Sequence, residues 1–435
     1  MSTSEHPVPA PGPVDTGERI VSLDFLRGLA ILGILVMNIY AFAMPFAAYF
    51  DPYRMGGDEA WNIGTWVFTH IFFDQKFMSI FAMLFGAGIV LTMERAESRG
   101  ARFGAIFFRR QFVLLLIGLV HLVFIWLGDI LSYYALVSMA MFLFRRWSPR
   151  RLIVLACFML PIPLLVNYGT SFYMVELMQQ SATIETRLEA GEEISEEDKR
   201  VLEEWQANRT FFAPTDEDIA REMDAHLGTY GDAVRYRVEN SLPMLVFAIP
   251  FFMIWRVGGL MLIGMALMKL GILSAQRPDA FYRRMALVGY GLGLPLAAFS
   301  AWNFFANDFD PVFNMRAGNV PNYIASILVA LGHIALAMLV VKRGALERLV
   351  ARFKAVGRMA LTNYLMHSVV MTTVFYGYGL GLYGGVPRLW QMLFVVALVG
   401  IQLLLSPWWL GKYRFGPVEW AWRSLTYWQR QPFRA

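Results

Sequence analysis

Five charged side chains stand inside otherwise apolar stretches: Asp24 and Arg27 in "SLDFLRGLAILGILVMN", Asp74 and Lys76 in "FFDQKFMSIFAMLFGAG", and Arg256 in "IPFFMIWRVGGLMLIGM". A charge at the bilayer centre costs about 2.5–3.5 kcal/mol on insertion scales, so each must face the protein interior, pair, or meet water or a ligand. Asp24 and Arg27 are one helical turn apart and can bond each other, either as an ion pair anchoring the helix end or as part of a site. Arg256 has no acid within a turn. Its guanidinium needs a carboxylate from another segment, such as Asp74, or an anionic ligand such as a phosphate. Arg256, Arg27 and Lys76 are therefore the candidates for holding an anionic donor.

Four histidines, His70, His121, His333 and His367, fall in the same stretches, and histidine exchanges a proton near neutral pH. His121 precedes Asp129 by eight residues in "HLVFIWLGDIL". A carboxylate that orients an imidazole suits general-base work; the alternative is an imidazole satisfied by an interhelical hydrogen bond. Asn38 follows Asp24 by about four turns on roughly one helix face, and Gln75, Asn363, Tyr364 and Gln402 add polar atoms to the same interior. Asp74, His70, His367 and Asn363 are candidates for contact with a substrate. The sequence holds no Gly-rich phosphate loop, no Cys/His metal spacing and no Gly-x-Ser-x-Gly elbow, so no metal is expected.

Membrane helices must position these residues. The 435 residues are 57% hydrophobic and 16% charged with mean hydropathy +0.47, outside the range of soluble domains. Stretches long enough to cross a bilayer as helix, about 20 residues, are expected at 23–44, 61–93, 103–127, 130–144, 151–172, 243–268, 285–304, 322–341, 359–381 and 389–410. That is an all-α polytopic bundle of about ten transmembrane helices with a small helical extracytoplasmic cap. The stretch 61–93 would be about 50 Å long as one helix, against a hydrocarbon core of roughly 30 Å. A break near Asp74-Gln75-Lys76 resolves the excess.

Short cytoplasmic loops are rich in Lys and Arg. Segments 94–110, 145–151, 269–284, 342–358 and 412–435 hold 24 basic and 5 acidic residues, whereas 45–60, 128–132, 173–240, 303–319 and 378–390 hold 10 and 23. The alternation places both termini in the cytoplasm of a bacterial inner membrane, and it explains the net charge of +5 without a nucleic-acid partner. The chain divides into a disordered tail 1–20, a first half-bundle 21–172 with five spans, an acidic cap 173–240, a second half-bundle 241–411 and an amphipathic cytoplasmic tail 412–435. The cap, with "ETRLEAGEEISEEDKRVLEEWQANR", reads as solvated amphipathic helices; in the tail, Glu419 and Arg423 can bond on one face of an interfacial helix. Ala41-Phe42-Ala43 looks like a signal-peptidase site, but the long apolar stretch without a basic cluster before it reads as a retained anchor.

"LDFLRGLAILGILVMN", "DQKFMSIFAMLFGAG", "GLVH" followed by "WLGDIL", "GRMALTNYLMHS" and "FGPVEWAWRSLTYW" together resemble the bacterial YeiB-like family, defined by a domain of unknown function. The resemblance runs over nearly the whole chain. That family looks related to transmembrane acyltransferases, among them the lysosomal heparan glucosaminide N-acetyltransferase, which moves an acetyl group from acetyl-CoA across a membrane to an amino sugar. The relationship implies that Asp24, Arg27 and Gly28 match an Asp-x-x-Arg-Gly helix start and Asn38 a catalytic-site Asn. The relative carries its catalytic His in the loop after that helix, whereas here no His lies between Asn38 and His70.

Two activities are compatible with these residues. In the first, an acyl donor such as acyl-CoA meets a sugar or glycolipid acceptor of the cell envelope; Arg256 or Arg27 holds phosphates, His121 acts as base or acyl carrier, and Asn38 donates to the oxyanion. In the second, the chain transports an anionic or polar metabolite through a midplane site built on Arg256 and the Asp74/Lys76 break. A membrane scaffold whose cap binds envelope partners is a third, non-catalytic reading. Membrane lipid surrounds the bundle under any of them, and an oligomer is compatible with all.

Overall fold

The computed structural model describes residues 20–98 and 103–434, so the expected tail 1–20 lies outside the described residues except for Ile20. The described chain is all-helical: α1 (Val21–Ala43), α2 (Ala47–Phe50), α3 (Ala60–Phe72), α4 (Lys76–Ser98), α5 (Phe103–Phe124), α6 (Leu131–Met141), α7 (Pro149–Met159), α8 (Ile162–Glu189), α9 (Glu196–Phe212), α10 (Asp216–Leu227), α11 (Tyr230–Ala248), α12 (Ile254–Lys269), α13 (Asp279–Ala306), α14 (Pro311–Phe313), α15 (Asn319–Lys342), α16 (Glu347–Arg358), α17 (Ala360–Phe375), α18 (Arg388–Leu410) and α19 (Pro417–Tyr427). Single π-helical turns at Ile249–Met253 and Asn314–Gly318 lead into α12 and α15.

Among the described residues, eight segments are long and apolar enough to cross a membrane: Val21–Ala43, Ala60–Glu97, Gly104–Phe124, Pro149–Glu189, Tyr230–Lys269, Asp279–Ala306, Pro311–Lys342 and Arg388–Leu410. The other two expected spans are shorter helices. At 130–144 the chain forms α6 and a 3-10 turn, Phe142–Phe144, nearly the expected stretch but short for a crossing, and the carboxylate of Asp129 gathers the Leu131 and Ser132 N–H groups at its start. At 359–381 only α17 is helical. The Gly-rich run after Phe375 turns back, and a Cβ on Gly377 would stand 1.9 Å from the Leu227 carbonyl oxygen.

Most of α1 is buried; it packs on α4, α15, α16, α17 and α18. Glycines let neighbouring backbones touch. A Cβ on Gly28 would lie 2.0 Å from the Phe353 carbonyl oxygen, and one on Gly357 would lie 1.9 Å from that of Asp24, which fixes the α1–α16 crossing. Gly86 against Met261 and Gly264 against Met83 do the same for α4 and α12.

The long second stretch breaks where its length requires: α3 ends at Phe72, α4 starts at Lys76, and Gln75 between them has φ 63°. In the cap, α9, α10 and α11 each start with a capping box, Ser195 with Asp198, Thr215 with Asp218 and Thr229 with Asp232. The solvated reading holds for α9 but not for α10. The carboxylate of Glu222 on α10 accepts from Phe46 N–H and from the Tyr383 hydroxyl, and His226 receives Gly377 N–H on its carbonyl.

Candidate functional site

The elements converge on a cavity of about 220 Å³ at the basic end of the bundle. Its polar lining includes Arg27 from α1, Arg95 from α4, Arg110 from α5, Arg358 from α16 and Arg423 from α19, with Asp24 and Glu419 as the carboxylates. The rest of the lining is largely apolar and includes Tyr364. Arg27 donates to Asp24 at 2.7 Å, so the expected one-turn pair forms. The Gly28–Gly357 crossing sets Arg358 beside it, which gives the glycines of "LRG" and "GRM" a common purpose.

Glu419 turns inward, accepting from Leu361 N–H at 2.7 Å, Thr362 N–H at 3.0 Å and the Thr362 hydroxyl at 2.5 Å. It thus satisfies the start of α17. Burial pushes its carboxyl above the ordinary range while the Thr362 and Leu361 donors pull it back. Arg423, its expected partner, lies over the Phe415 ring. Trp422 of the same helix stacks under the Arg110 guanidinium and donates to the Arg110 carbonyl. Two lining atoms, Arg358 Nε and Gln111 Oε1, are buried without a hydrogen-bond partner among the described residues. Of the two, Arg358 Nε is a donor and, in a lining with four other arginines, suits an anionic ligand, whereas Gln111 Oε1 is an acceptor and calls for a donor.

Behind Tyr364 lies a relay. His121 Nδ1 is 2.8 Å from Asp129 Oδ1, and its Nε2 is 2.8 Å from Ser368 Oγ. All three side chains are buried. Asp129 also accepts from Leu131 N–H, Ser132 N–H and the Ser132 hydroxyl. The irregular segment that carries it is held by Tyr364, whose hydroxyl accepts from Ile130 N–H and donates to the Gly128 carbonyl. The Tyr364 ring, which lines the cavity, has its centroid 5.3 Å from the His121 imidazole.

The remaining candidates scatter. Asp74, Lys76 and His70 form a separate closed cluster: Lys76 Nζ donates to the Asn322 Oδ1 and the His70 carbonyl, while Asn322 Nδ2 and the Tyr49 hydroxyl donate to Asp74. Arg256 does not pair with Asp74. It donates to Ser326 Oγ at 2.8 Å with its guanidinium 3.9 Å from the Tyr323 ring centroid, while its Nη1 is buried without a hydrogen-bond partner among the described residues. His367 bonds Gln402, whose amide reaches the Asn363 carbonyl, and Asn363 bonds Ser406. Asn38 is half-buried, forms no side-chain hydrogen bond among the described residues and touches neither the cavity nor the relay.

Sequence reading missed Ser368 and two fully buried arginines that had been counted with the loops. Arg237 donates to the Val123 and Phe124 carbonyls, and Arg388 to those of Ala48 and Met55. A guanidinium held by backbone carbonyls, as these are except at Arg237 Nη1 and Arg388 Nε, leaves no charged partner in the sequence to betray it.

These features define a polytopic helical integral membrane protein in which a buried His–Asp–Ser relay backs an arginine-lined cavity. The chain belongs to the YeiB-like family: the family model described as "Protein of unknown function (DUF418)" matches residues 267–429, and similarity to whole relatives extends this across the chain. YeiB of Escherichia coli (strain K12) is 33% identical over 416 residues, 94% of this chain and 96% of that one. YxaH of Bacillus subtilis (strain 168) is 31% identical over 430 residues, 97% of each chain. A 39.9 kDa protein from the amylase 3' region of Bacillus acidopullulyticus is 25% identical over 421 residues, again 97% of each. All three are named as uncharacterized. No solved structure matches.

Proposed function

We propose that the protein is a membrane acyltransferase that takes its acyl group from a phosphate-bearing donor of the acyl-CoA kind and hands it to a hydroxyl or amine of a sugar or glycolipid acceptor in the cell envelope. One observation carries the reading: arginines from five helices line a cavity that is otherwise largely apolar, and one lining residue, Tyr364, has its ring centroid 5.3 Å from that of His121 in the relay. At about 220 Å³ the cavity is smaller than the 300–1,000 Å³ of sites that enclose whole ligands. It receives one end of the donor, acyl chain inward, with the phosphates at the arginines. His121 is the base that takes the acceptor's proton. The positive-inside pattern favours a donor arriving from the cytoplasm of a bacterial inner membrane.

A transporter reading rests on the broken helix at Asp74, Gln75 and Lys76, the geometry in which transporters hold charged cargo. Its polar groups satisfy one another, whereas the basic cavity keeps orphaned atoms. Detergent-purified protein incubated with acetyl-CoA and longer acyl-CoAs is expected to release free CoA, with donor KM raised in Arg358→Gln. Neither binding nor release with any of these donors overturns the reading. Uptake of an unmodified metabolite into proteoliposomes would then establish transport.

A further inference from the structure

We infer that Ser368 is the nucleophile of a two-step transfer and carries the acyl group as an ester; this rests on the reading of the basic cavity as the donor site. The hydrogen bonds assign the imidazole tautomer. Asp129 Oδ2 receives the Ser132 hydroxyl and N–H, and Oδ1 receives Leu131 N–H. Such a carboxylate is held as an acceptor, so His121 Nδ1, 2.8 Å away, donates to it. The Nε2 lone pair then points at Ser368 Oγ, also 2.8 Å away, and the serine hydroxyl donates to it. A serine inside a helix ordinarily returns its proton to a carbonyl one turn back, as Ser138 does to Ala135, Ser171 to Tyr168 and Ser326 to Tyr323. Ser368 bonds the imidazole instead.

The chain is built to keep this alignment. A Cβ on Gly118 would lie 2.5 Å from the Ser132 nitrogen and 3.1 Å from Asp129 Oδ2, so glycine there lets the Asp129 segment rest against α5. Tyr364 sits one turn before Ser368 on α17, between relay and cavity. Displacement of that ring opens the route from the donor to Ser368.

In the first step Ser368 Oγ attacks the thioester carbonyl carbon and its proton passes to His121 Nε2. The carbon–sulfur bond breaks, and the thiolate leaves with that proton. In the second step the acceptor's O–H or N–H gives its proton to Nε2 while its oxygen or nitrogen attacks the serine ester. The ester bond breaks and Ser368 Oγ recovers the proton from Nε2. The net change is one acyl group moved to the acceptor and one proton moved to the thiol.

The test uses the full chain in detergent and two readouts. A fluorophosphonate probe, needing no donor, is expected to add its phosphonyl group to the Ser368 peptide, faster in Tyr364→Ala and not at all in His121→Gln. With acyl-labelled acetyl-CoA and no acceptor, label is expected on the wild-type protein, absent in Ser368→Ala, and converted to a neutral-hydroxylamine-labile thioester in Ser368→Cys. Turnover in Ser368→Ala is expected to fall on the order of 10³-fold or more. CoA release undiminished in Ser368→Ala overturns the inference and leaves the donor cavity standing. If the wild type neither binds an acyl-CoA nor releases CoA, the donor reading fails, and the probe alone decides Ser368: an adduct there supports the nucleophile, and none in either wild type or Tyr364→Ala overturns it. The probe also decides if Ser368→Ala fails to fold.

Discussion

His121 lies 2.8 Å from Asp129 and 2.8 Å from Ser368, whereas His70, with the same two neighbour types, lies 3.6 Å from Asp74 and 3.3 Å from Ser300. The counter-charge separates the two sets. Asp74 is tied through the Asn322 amide to Lys76, so charge closes on itself at the helix break while the His70 ring stacks on Trp66. Asp129 has neutral donors and an imidazole as its hydrogen-bond partners. A buried acid balanced by a fixed cation holds a break together; one balanced by an imidazole is completed by a proton that can move.

The largest effects are expected at the two carboxylates and their partners. Asp129→Asn is expected to cut turnover by about 10³–10⁴-fold, because the amide favours the wrong imidazole tautomer, with a smaller loss of about 1–3 kcal/mol in stability where its NH2 replaces an acceptor. Lys76→Met is expected to do the reverse: it leaves Asp74 buried without its counter-charge, costing about 3–5 kcal/mol of stability. Thermal unfolding in detergent should show that loss, and the double variant Asp74→Asn/Lys76→Met should recover most of it. Arg358→Gln removes a charge-assisted donor from the cavity and should raise donor KM about tenfold at constant kcat, read from initial rates.

Outside the spans, His226 offers a third environment, one without a relay. Burial holds its pKa down at about 4 and lifts that of Glu222, one turn away on α10, to about 7. Docked Glu222 keeps a proton that an undocked one loses, so its contribution falls as pH rises from about 4.5 to about 7; docked His226 refuses a proton, so its contribution falls as pH drops from about 6.5 to about 4. The slopes oppose, and docking of α10 should be nearly level between about pH 4.5 and 6.5. Glu222→Gln should leave only the loss on the acid side, and His226→Gln only the loss on rising pH, both read by amide exchange over 216–227. The smallest expected effect is that of His70→Gln, which should leave turnover within about threefold; a larger loss would erase the distinction drawn between the two histidines.

The bundle was legible where physics acts locally. Hydropathy located the spans, and the excess length of 61–93 located the break now seen at Gln75. At 130–144 and 359–381 the helices are shorter than a full bilayer crossing: the first follows directly on the irregular segment that carries Asp129, and the second gives way to a Gly-rich turn after Phe375. At the site, Asp129 was within reach of pattern reading, eight residues after His121. Ser368 was not: it is 247 residues away, and only the packing of α17 on α5 and the Asp129 segment supplies it. At Arg256 the carboxylate of Asp74 is not the partner: Ser326 and the Tyr323 ring take part of the guanidinium, and Nη1 keeps no hydrogen-bond partner among the described residues.

The cavity also has a history in time. Glu419, which fastens α19 to α17, leaves the ribosome 395 residues after Asp24, roughly 20 to 80 s later at 5–20 residues per second. During that interval α1, α4 and α5 can already be in the membrane with their arginines facing an unfinished wall. A nascent chain therefore carries the hydrophobic spans long before it carries a complete ligand site, and a chain stalled short of α19 would be inserted yet unable to bind.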